Sequence, residues 1–293
     1  MLRPNSNLLK PAPRIESHTL PDGYCAAARV WRVKEPAAQV VCLHGILSHG
    51  GWYLPSGAHL AGEGFDVHLL DRRGSGLNCV APGDVDRWET WPQDVEHYLE
   101  RLPPDPPRLL LGISWGGMLA AAVARRRPDL LSGLGLLCPG LYSKKAANAL
   151  QQAALKAAGI LGLRSKRVAI PLKDPALFTS NEESKAFVAR DPLSLRKITI
   201  GFALANLELT RFACERPEEI RVPALLVLAG DDPITDNPRT RAFFERIGHN
   251  EKHLIEYAGA SHTLEFEPDP APYFRDLAQW CRWAASRAPR SPS

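Results

Sequence analysis

A run of leucines that stops at a glycine-framed serine constrains this chain more than any other stretch. Residues 109–117 read LLLGISWGG, and an alanine-rich segment follows them. A serine in the sharp turn between a strand and a helix adopts a strained backbone, and glycines two before and two after it remove clashing Cβ atoms. Gly112 and Gly116 occupy those positions. The stretch predicts a strand, a nucleophile elbow with Ser114 at its tip, and a helix over residues 115–126.

A bare G-x-S-x-G pattern also occurs by chance, so its surroundings decide its meaning. Short apolar segments alternate with amphipathic ones, which is typical of a mostly parallel, doubly wound α/β sheet with its functional loops at the strand carboxyl ends. Strands are predicted at residues 14–20, 24–32, 40–43, 65–70, 108–113, 134–137, 224–229 and 253–257. Helices of the core are predicted at residues 53–62, 88–102, 115–126, 238–247 and 273–285. Pro21-Asp22-Gly23 presets a tight turn, so the first two strands are expected to form an antiparallel hairpin at a sheet edge.

The composition fits one catalytic domain that carries an insertion. The chain has 293 residues, 45% of them hydrophobic, which is enough for one large core and a smaller cap. A net charge of +4, from 36 basic and 32 acidic side chains, predicts no nucleic-acid partner. Six scattered cysteines without a C-x-x-C motif favour a reduced, cytoplasmic compartment. No stretch resembles a signal peptide or a membrane span, so we expect a soluble protein with frayed ends at residues 1–13 and 286–293.

The alternation of strands and helices stops over residues 140–222. This predicts a helical cap inserted between two parts of the core, residues 14–139 and 223–285. Cap helices are predicted at residues 144–162, 182–189 and 192–214. Basic side chains outnumber acidic ones in the cap, and isoleucine and leucine cluster at residues 160–163. The mixture suits a lid over an apolar ligand or a transient contact with anionic lipid headgroups, and a solvated helical face over ordinary core is the alternative.

Three predicted strand ends present a serine, an acid and a histidine in the chain order Ser114, Asp232, His262. A serine hydroxyl is a weak nucleophile near neutral pH, so a base must take its proton during attack. An imidazole can do so when a carboxylate fixes its tautomer. The glycine-containing loop over residues 44–53 follows another apolar strand, and it either supplies an amide to an oxyanion hole or only makes a tight turn.

These residues resemble the α/β-hydrolase superfamily and, within it, the monoacylglycerol lipase and lysophospholipase group, over residues 15–283. The motifs that carry the resemblance are HG and SHGGWY within residues 44–53, DRRGSG at 71–76, GISWGG at 112–117, DPI at 232–234 and GASH at 259–262. The resemblance implies an α/β-hydrolase fold with a helical cap before the acid, and it implies no metal or organic cofactor.

The resemblance also assigns roles to individual residues. It implies Ser114 as nucleophile, His262 as base and Asp232 as orienting acid, with an oxyanion hole built from the backbone amides of Ile46 and Trp115. The sequence departs from the family pattern in two places. One residue, not two, separates Gly230 from Asp232, which leaves Asp231 as a second candidate acid, although Pro233-Ile234 favours Asp232. Ser75 stands where relatives often have histidine.

The resemblance therefore predicts hydrolysis of carboxylic esters, with a small-molecule acyl ester or lipid resembling a monoacylglycerol or lysophospholipid as substrate. A peptidase of the prolyl aminopeptidase kind is an alternative, because such enzymes share the Ser-Trp-Gly elbow. That activity requires cap acids to hold a substrate ammonium, and Glu182, Glu183 and Glu208 are the candidates. A noncatalytic ligand-binding protein on the same fold is the alternative outside enzymes.

Overall fold

Eight strands form one sheet in the order β1-β2-β4-β3-β5-β6-β9-β10 in the computed structural model, which describes residues 12–288. The strands are β1 Arg14–Thr19, β2 Cys25–Trp31, β3 Gln39–Leu43, β4 Asp66–Leu70, β5 Arg108–Ile113, β6 Gly133–Leu137, β9 Ala224–Ala229 and β10 Lys252–Tyr257. A separate two-stranded sheet pairs β7 Arg167–Ala169 with β8 Lys197–Thr199. The helices are α1 Leu54–Gly62, α2 Thr90–Arg101, α3 Trp115–Arg126, α4 Ala149–Ile160, α5 Glu182–Arg190, α6 Ile200–Glu215, α7 Asn237–Glu245 and α8 Ala271–Arg287.

The predicted hairpin at the sheet edge is confirmed. β1 pairs antiparallel with β2, β2 pairs antiparallel with β4, and every other pair of neighbours in the large sheet is parallel. The register places Leu43 opposite Gly112 and Ile113 opposite Leu137. The loops that follow β3, β5 and β6 therefore meet at one edge of the sheet, where Ser114 lies.

Helices cover both faces of the sheet, as a doubly wound fold requires. A Cβ atom added to Gly112 would meet the backbone of α3, whereas one added to Gly135 would point toward Leu111 and Trp280 of α8. Gly112 is paired with Leu136, the residue after Gly135 on β6. Since successive side chains on a strand point to opposite faces, α3 and α8 lie on opposite sides of the sheet.

The segment between β6 and β9 is mostly helical, but the predicted helix over residues 192–214 is wrong in its first part. α6 begins at Ile200, and residues 197–199 instead form β8. The Thr199 side chain accepts a hydrogen bond from the amide of Phe202 at 3.0 Å, so Thr199 caps α6 and the helix cannot extend before it. Asp191 accepts from the amide of Leu193 at 3.1 Å, which holds that stretch in a turn.

Several helix ends also differ from expectation, among them the start of α4 and the end of α8. The helix predicted from residue 144 begins only at Ala149, because Asn148 and Gln151 form a reciprocal capping box. α8 continues through Arg287, so the frayed end predicted from residue 286 is wrong for its first two residues, and residues 1–11 and 289–293 lie outside the described range. Within residues 12–288 no helix is long and apolar enough to cross a membrane.

Candidate active site

Ser114 lies at the tip of the turn between β5 and α3, with φ of 55° and ψ of −120°. A left-handed φ costs a non-glycine residue about 1–3 kcal/mol, so its surroundings must hold it there. The Ser114 amide donates to the carbonyl of Leu137 at 2.9 Å. The Ser114 carbonyl accepts from the amides of Gly117 at 2.9 Å and Gly140 at 2.6 Å. Backbone hydrogen bonds from three segments thus lock the serine in its strained conformation.

The two glycines that frame Ser114 serve a close approach of backbones. A Cβ atom on Gly112 would overlap the carbonyl oxygen of Gly116, and one on Gly116 would overlap the carbonyl of Leu43. α3 can therefore lie directly against the ends of β5 and β3 only while both positions are glycine. This arrangement leaves the first amides of α3 facing the edge of the sheet where Ser114 stands.

The structure brings Ser114, His262 and Asp232 into one hydrogen-bonded chain. Oγ of Ser114 lies 2.9 Å from Nε2 of His262, and Nδ1 of His262 lies 2.7 Å from Oδ2 of Asp232. His262 and Asp232 follow β10 and β9, and both are buried. A carboxylate can only accept, so Nδ1 carries the proton and the lone pair of Nε2 faces the serine hydroxyl. The imidazole is placed to take the proton of Ser114.

Asp232 and Asp231 occupy different surroundings. Oδ1 of Asp232 accepts from the amides of Ile234 at 2.7 Å and Thr235 at 2.9 Å. Burial by itself raises the pKa of the Asp232 carboxyl, but His262 and the two amides outweigh burial, so the pKa lies below its ordinary value. Asp231 is exposed, and among residues 12–288 its carboxylate makes no hydrogen bond. The histidine therefore contacts only the second aspartate.

The loop after β3 lies against Ser114 and carries the predicted Ile46 amide. A Cβ atom on Gly45 would be 3.4 Å from Cβ of Ser114. The amide of Trp115, the other predicted donor, belongs to the residue directly after Ser114. Within the described residues, neither the Ile46 nor the Trp115 amide donates to a protein acceptor. Both amides are available for an oxyanion formed at Ser114.

A buried histidine orients this loop, and sequence reasoning assigned it no role. Nε2 of His44 accepts from the amide of Arg72 at 2.9 Å, so Nδ1 carries the proton and donates to the carbonyl of Gly45 at 2.7 Å. Burial, followed by the charge of Arg72, lowers the pKa of His44 to about 3. His44 is therefore neutral at physiological pH. The signal that could have revealed this contact was the DRRGSG motif, which predicts a loop beside the HG dipeptide.

A small, mostly apolar pocket opens beside Ser114. Its apolar lining comes from the loop after β3, from β5 and from two cap residues, namely Ile46, Leu47, Trp52, Tyr53, Ile113, Leu172 and Phe178. Sequence reasoning missed Leu172 and Phe178 as part of this lining. Neither cap residue belongs to a predicted cap helix, which is why the pattern did not reveal them.

The apolar side chains between β6 and β9 differ widely in exposure. Ile160 and Leu161 at the end of α4 are 87% and 74% exposed, and α4 buries no residue fully. Phe202 is instead fully buried beside Trp115. The three acids that a peptidase would need, Glu182, Glu183 and Glu208, are all exposed, and none lines the pocket at Ser114.

The sheet order, the crossover helices and the serine at the β5–α3 turn define an α/β-hydrolase-fold protein. Among solved structures, the monoacylglycerol lipase of Paleococcus ferrophilus matches with a TM-score of 0.80 and 25% identity, over 90% of this chain and 99% of that chain. A soluble variant of monoglyceride lipase from Saccharomyces cerevisiae, in complex with a substrate analog, matches with a TM-score of 0.82 over 96% and 98% of the two chains. At 20% identity the second likeness supports the fold alone.

Sequence comparison then gives the family. The family model described as serine aminopeptidase S33 matches residues 34–269, so the chain belongs to that family. It is 25% identical to a phospholipase of Bacillus subtilis over 248 residues, which are 84% of this chain and 95% of that protein. It is 27% identical to the monoglyceride lipase of Mus musculus over 254 residues, which are 84% of this chain and 82% of that protein. The fold and the family resemblance expected from the sequence are both confirmed.

Proposed function

We propose that this protein hydrolyses carboxylic esters through an acyl-enzyme on Ser114, and that its substrates resemble monoacylglycerols or lysophospholipids. The hydrogen-bonded chain from Ser114 through His262 to Asp232 carries the proposal, because this arrangement makes a serine hydroxyl nucleophilic. The available amides of Ile46 and Trp115 beside it would bind the oxyanion of a tetrahedral intermediate.

In the proposed reaction, Oγ of Ser114 attacks the ester carbonyl while Nε2 of His262 takes the hydroxyl proton. Asp232 stabilises the imidazolium through Nδ1, and the tetrahedral oxyanion accepts from the two amides. His262 then gives its proton to the departing alkoxide oxygen. The alcohol leaves, and the acyl group remains on Ser114 as an ester. Water, deprotonated by His262, attacks that ester and releases the carboxylic acid, and the proton returns to Ser114.

The pocket beside Ser114 supports an acyl substrate. Its lining is mostly apolar, which suits a hydrocarbon chain, and among residues 12–288 no aspartate or glutamate lines it to hold a substrate ammonium. The curated relatives include monoglyceride lipases and a phospholipase, although the family description names an aminopeptidase. The exposure of Glu182, Glu183 and Glu208 weighs against the peptidase alternative. The complete hydrogen-bonded chain weighs against a noncatalytic binding protein.

The cap is the second part of the proposal. We place the cap at residues 140–222, between core residues 14–139 and 223–285, and suggest that it contacts membrane surfaces transiently. Leu150 and Ile160 on α4 and Leu161 directly after it are exposed, and α4 has no fully buried residue, which supports that contact. Six free cysteines support a reduced, cytoplasmic compartment.

Hydrolysis of p-nitrophenyl esters, monoacylglycerols, lysophospholipids and prolyl anilides by wild type and Ser114→Ala tests the proposal. Ser132→Ala is the matched control. Ser132 lies just before β6 begins, whereas Ser114 lies where β5 ends, so the two serines are at opposite edges of the sheet. We expect turnover of long-chain esters that is lost in Ser114→Ala and kept in Ser132→Ala. Turnover of anilides alone would establish the peptidase instead. A folded protein that neither hydrolyses the panel nor reacts with a fluorophosphonate would refute the proposal.

A further inference from the structure

Arg72 is a buried cation directly behind the loop that carries the Ile46 amide. Its guanidinium donates to the carbonyl of Gly45 at 3.4 Å and to the carbonyl of Ile46 at 3.0 Å. It also donates to Oγ of Ser75 at 2.6 Å. Two consecutive carbonyls of the loop thus accept from one planar side chain, and Arg72 also holds His44 through its own backbone amide at 2.9 Å.

The geometry of the peptide bond links these contacts to the proposed oxyanion hole. The carbonyl of Gly45 and the amide of Ile46 belong to the same peptide unit, and in a trans peptide they point in opposite directions. Hydrogen bonds from His44 and Arg72 to that carbonyl therefore aim the Ile46 amide away from them. Gly45 and Ile46 line the same pocket as Ser114, so the peptide unit that these hydrogen bonds hold belongs to the wall of the proposed reaction site.

The same guanidinium also contacts the residue that supplies the second donor. Its central carbon lies 4.4 Å from the centre of the Trp115 indole, a distance at which the ring face attracts a cation. The indole Nε1 of Trp115 donates to Asn206 at 2.6 Å, so the ring is held at both its face and its edge. One side chain thus touches both segments whose amides form the proposed hole.

The charge of Arg72 has no carboxylate bonded to it among residues 12–288. The neighbouring Asp71 pairs with Arg29 at 2.8 Å and accepts from the amides of Gly50 and Leu77, both at 2.7 Å. Burying a cation that has only neutral hydrogen-bond acceptors costs free energy, because no carboxylate balances its charge. The neighbouring Arg73, by contrast, is paired with Asp94. A developing negative charge at the oxyanion would offset the cost of burying the positive charge behind it.

We propose that Arg72 is a positioning residue for ester hydrolysis, which aligns the Ile46 and Trp115 amides and places a positive charge behind the oxyanion. This inference rests on the proposed function, because it acts on the transition state formed at Ser114. It predicts that Arg72 contributes to the chemical step and to binding of a tetrahedral adduct, and little to binding of the ground-state ester.

The test compares Arg72→Met and Arg72→Lys with wild type, and Arg73→Lys is the matched control. Arg73 is the adjacent arginine, and its hydrogen bonds go to Asp22 and Asp94. Hydrolysis of a p-nitrophenyl ester gives kcat and KM, and an alkyl boronic acid, which forms a tetrahedral adduct on a serine, gives a Kd. Thermal unfolding reports whether each variant is folded.

We expect Arg72→Met to lower kcat by about 10- to 100-fold with KM within about threefold, since loss of one oxyanion donor costs about 10²–10³-fold. Boronate affinity falls in proportion to kcat/KM, Arg72→Lys is intermediate, and Arg73→Lys resembles wild type. A lower kcat with unchanged boronate affinity would overturn the inference, as would full activity in Arg72→Met. If Arg72→Met does not fold, the kcat and the boronate Kd of Arg72→Lys test the inference instead. Loss of wild-type turnover, or turnover by Ser114→Ala, would instead refute the proposed function.

Discussion

His49 and Asp191 join the proposed cap to the loop that carries the Ile46 amide. Nε2 of His49 lies 3.0 Å from Oδ2 of Asp191, and the same oxygen accepts from Nε1 of Trp52 at 2.7 Å. Nδ1 of His49 accepts from the amide of Gly51, so Nε2 carries the proton that faces the carboxylate. A second contact, from the amide of Leu195 to the carbonyl of Leu47 at 2.9 Å, lies beside the first.

Asp191→Ala is expected to loosen the cap and the loop together. The change leaves the buried N–H groups of His49 and Trp52 without their carboxylate, which lowers the free energy of unfolding by about 2–4 kcal/mol. We expect kcat for a soluble ester to fall about tenfold, because the loop that carries Ile46 is no longer anchored. Urea unfolding and steady-state kinetics measure the two effects. Ser194→Ala, which removes one donor to the same oxygen, is the milder control, and full kcat in a destabilised Asp191→Ala would show that the contact is structural alone.

The two neighbouring aspartates are expected to differ sharply in function. Asp232→Asn removes the carboxylate that fixes the tautomer of His262, and the equivalent loss in a serine protease triad costs about 10⁴-fold in kcat. Asp231→Asn changes an exposed side chain and is expected to leave kcat within about twofold. Parallel kinetics on the two variants measure this contrast. Equal losses in both would mean that the acids share the role.

Gly116→Ala is expected to disrupt the elbow by sterics. The added Cβ would lie 2.8 Å from the carbonyl oxygen of His44, and the backbone there cannot move without shifting β3. Overpacking of this kind costs about 1–3 kcal/mol. Gly62→Ala is the matched control, since nothing lies within 4 Å of a Cβ at that helix end and the change is expected to be neutral or stabilising. Urea unfolding of both variants tests the difference, and equal stabilities would contradict the steric argument.

The protein is expected to lose stability as the pH falls below about 6.5. Burial lowers the pKa of His44 and of His68 to about 3, so the unfolded chain binds protons at these groups before the native state does. Stability is therefore fully present above the unfolded pKa of about 6.5 and is lost toward pH 3, at about 1.4 kcal/mol per pH unit for each histidine. Unfolding at pH 7.5 and pH 5.5 measures the slope. His44 and His68 together contribute part of this pH dependence, and His68→Gln is expected to remove about half of that contribution. An unchanged slope would show that His68 does not contribute.

The exposed end of α4 is expected to govern binding to lipid surfaces. Ile160→Asp combined with Leu161→Asp replaces apolar surface with negative charge, so partitioning to phosphatidylcholine vesicles containing phosphatidylglycerol should fall by about tenfold or more. Turnover of a soluble ester is expected to stay near the wild-type value. Leu254→Asp, at an exposed position on the edge strand β10, is the control and should bind as wild type does. Sedimentation with vesicles measures binding, and equal binding by all three proteins would exclude this surface.

The elements nearest the site were the easiest to predict from sequence. β5, α3 and β9 have their predicted bounds, because each is a continuous apolar or alanine-rich segment bounded by glycine, proline or a charge. The cap was harder. Leucine and isoleucine at residues 193, 195 and 198 suggest a helical face, yet the amides of Leu195 and Thr199 donate to carbonyls of the core, and residues 197–199 form β8. Tertiary contacts override weak local preference at such positions.

The sequence by itself determined the fold class, the family and the order of the candidate catalytic side chains, because these depend on local patterns of apolar residues, glycines and motifs. Only the tertiary structure decided which aspartate meets His262 and which side chains hold the loop that carries the Ile46 amide. Asp231 and Asp232 are adjacent in the chain, and Arg72 and Arg73 are too, but the two side chains of each pair point in different directions. Asp232 faces His262 and Asp231 faces solvent, whereas Arg72 faces the loop after β3 and Arg73 faces Asp22 and Asp94. That direction depends on the backbone path of a loop and on partners far away in the chain, which a linear pattern does not encode.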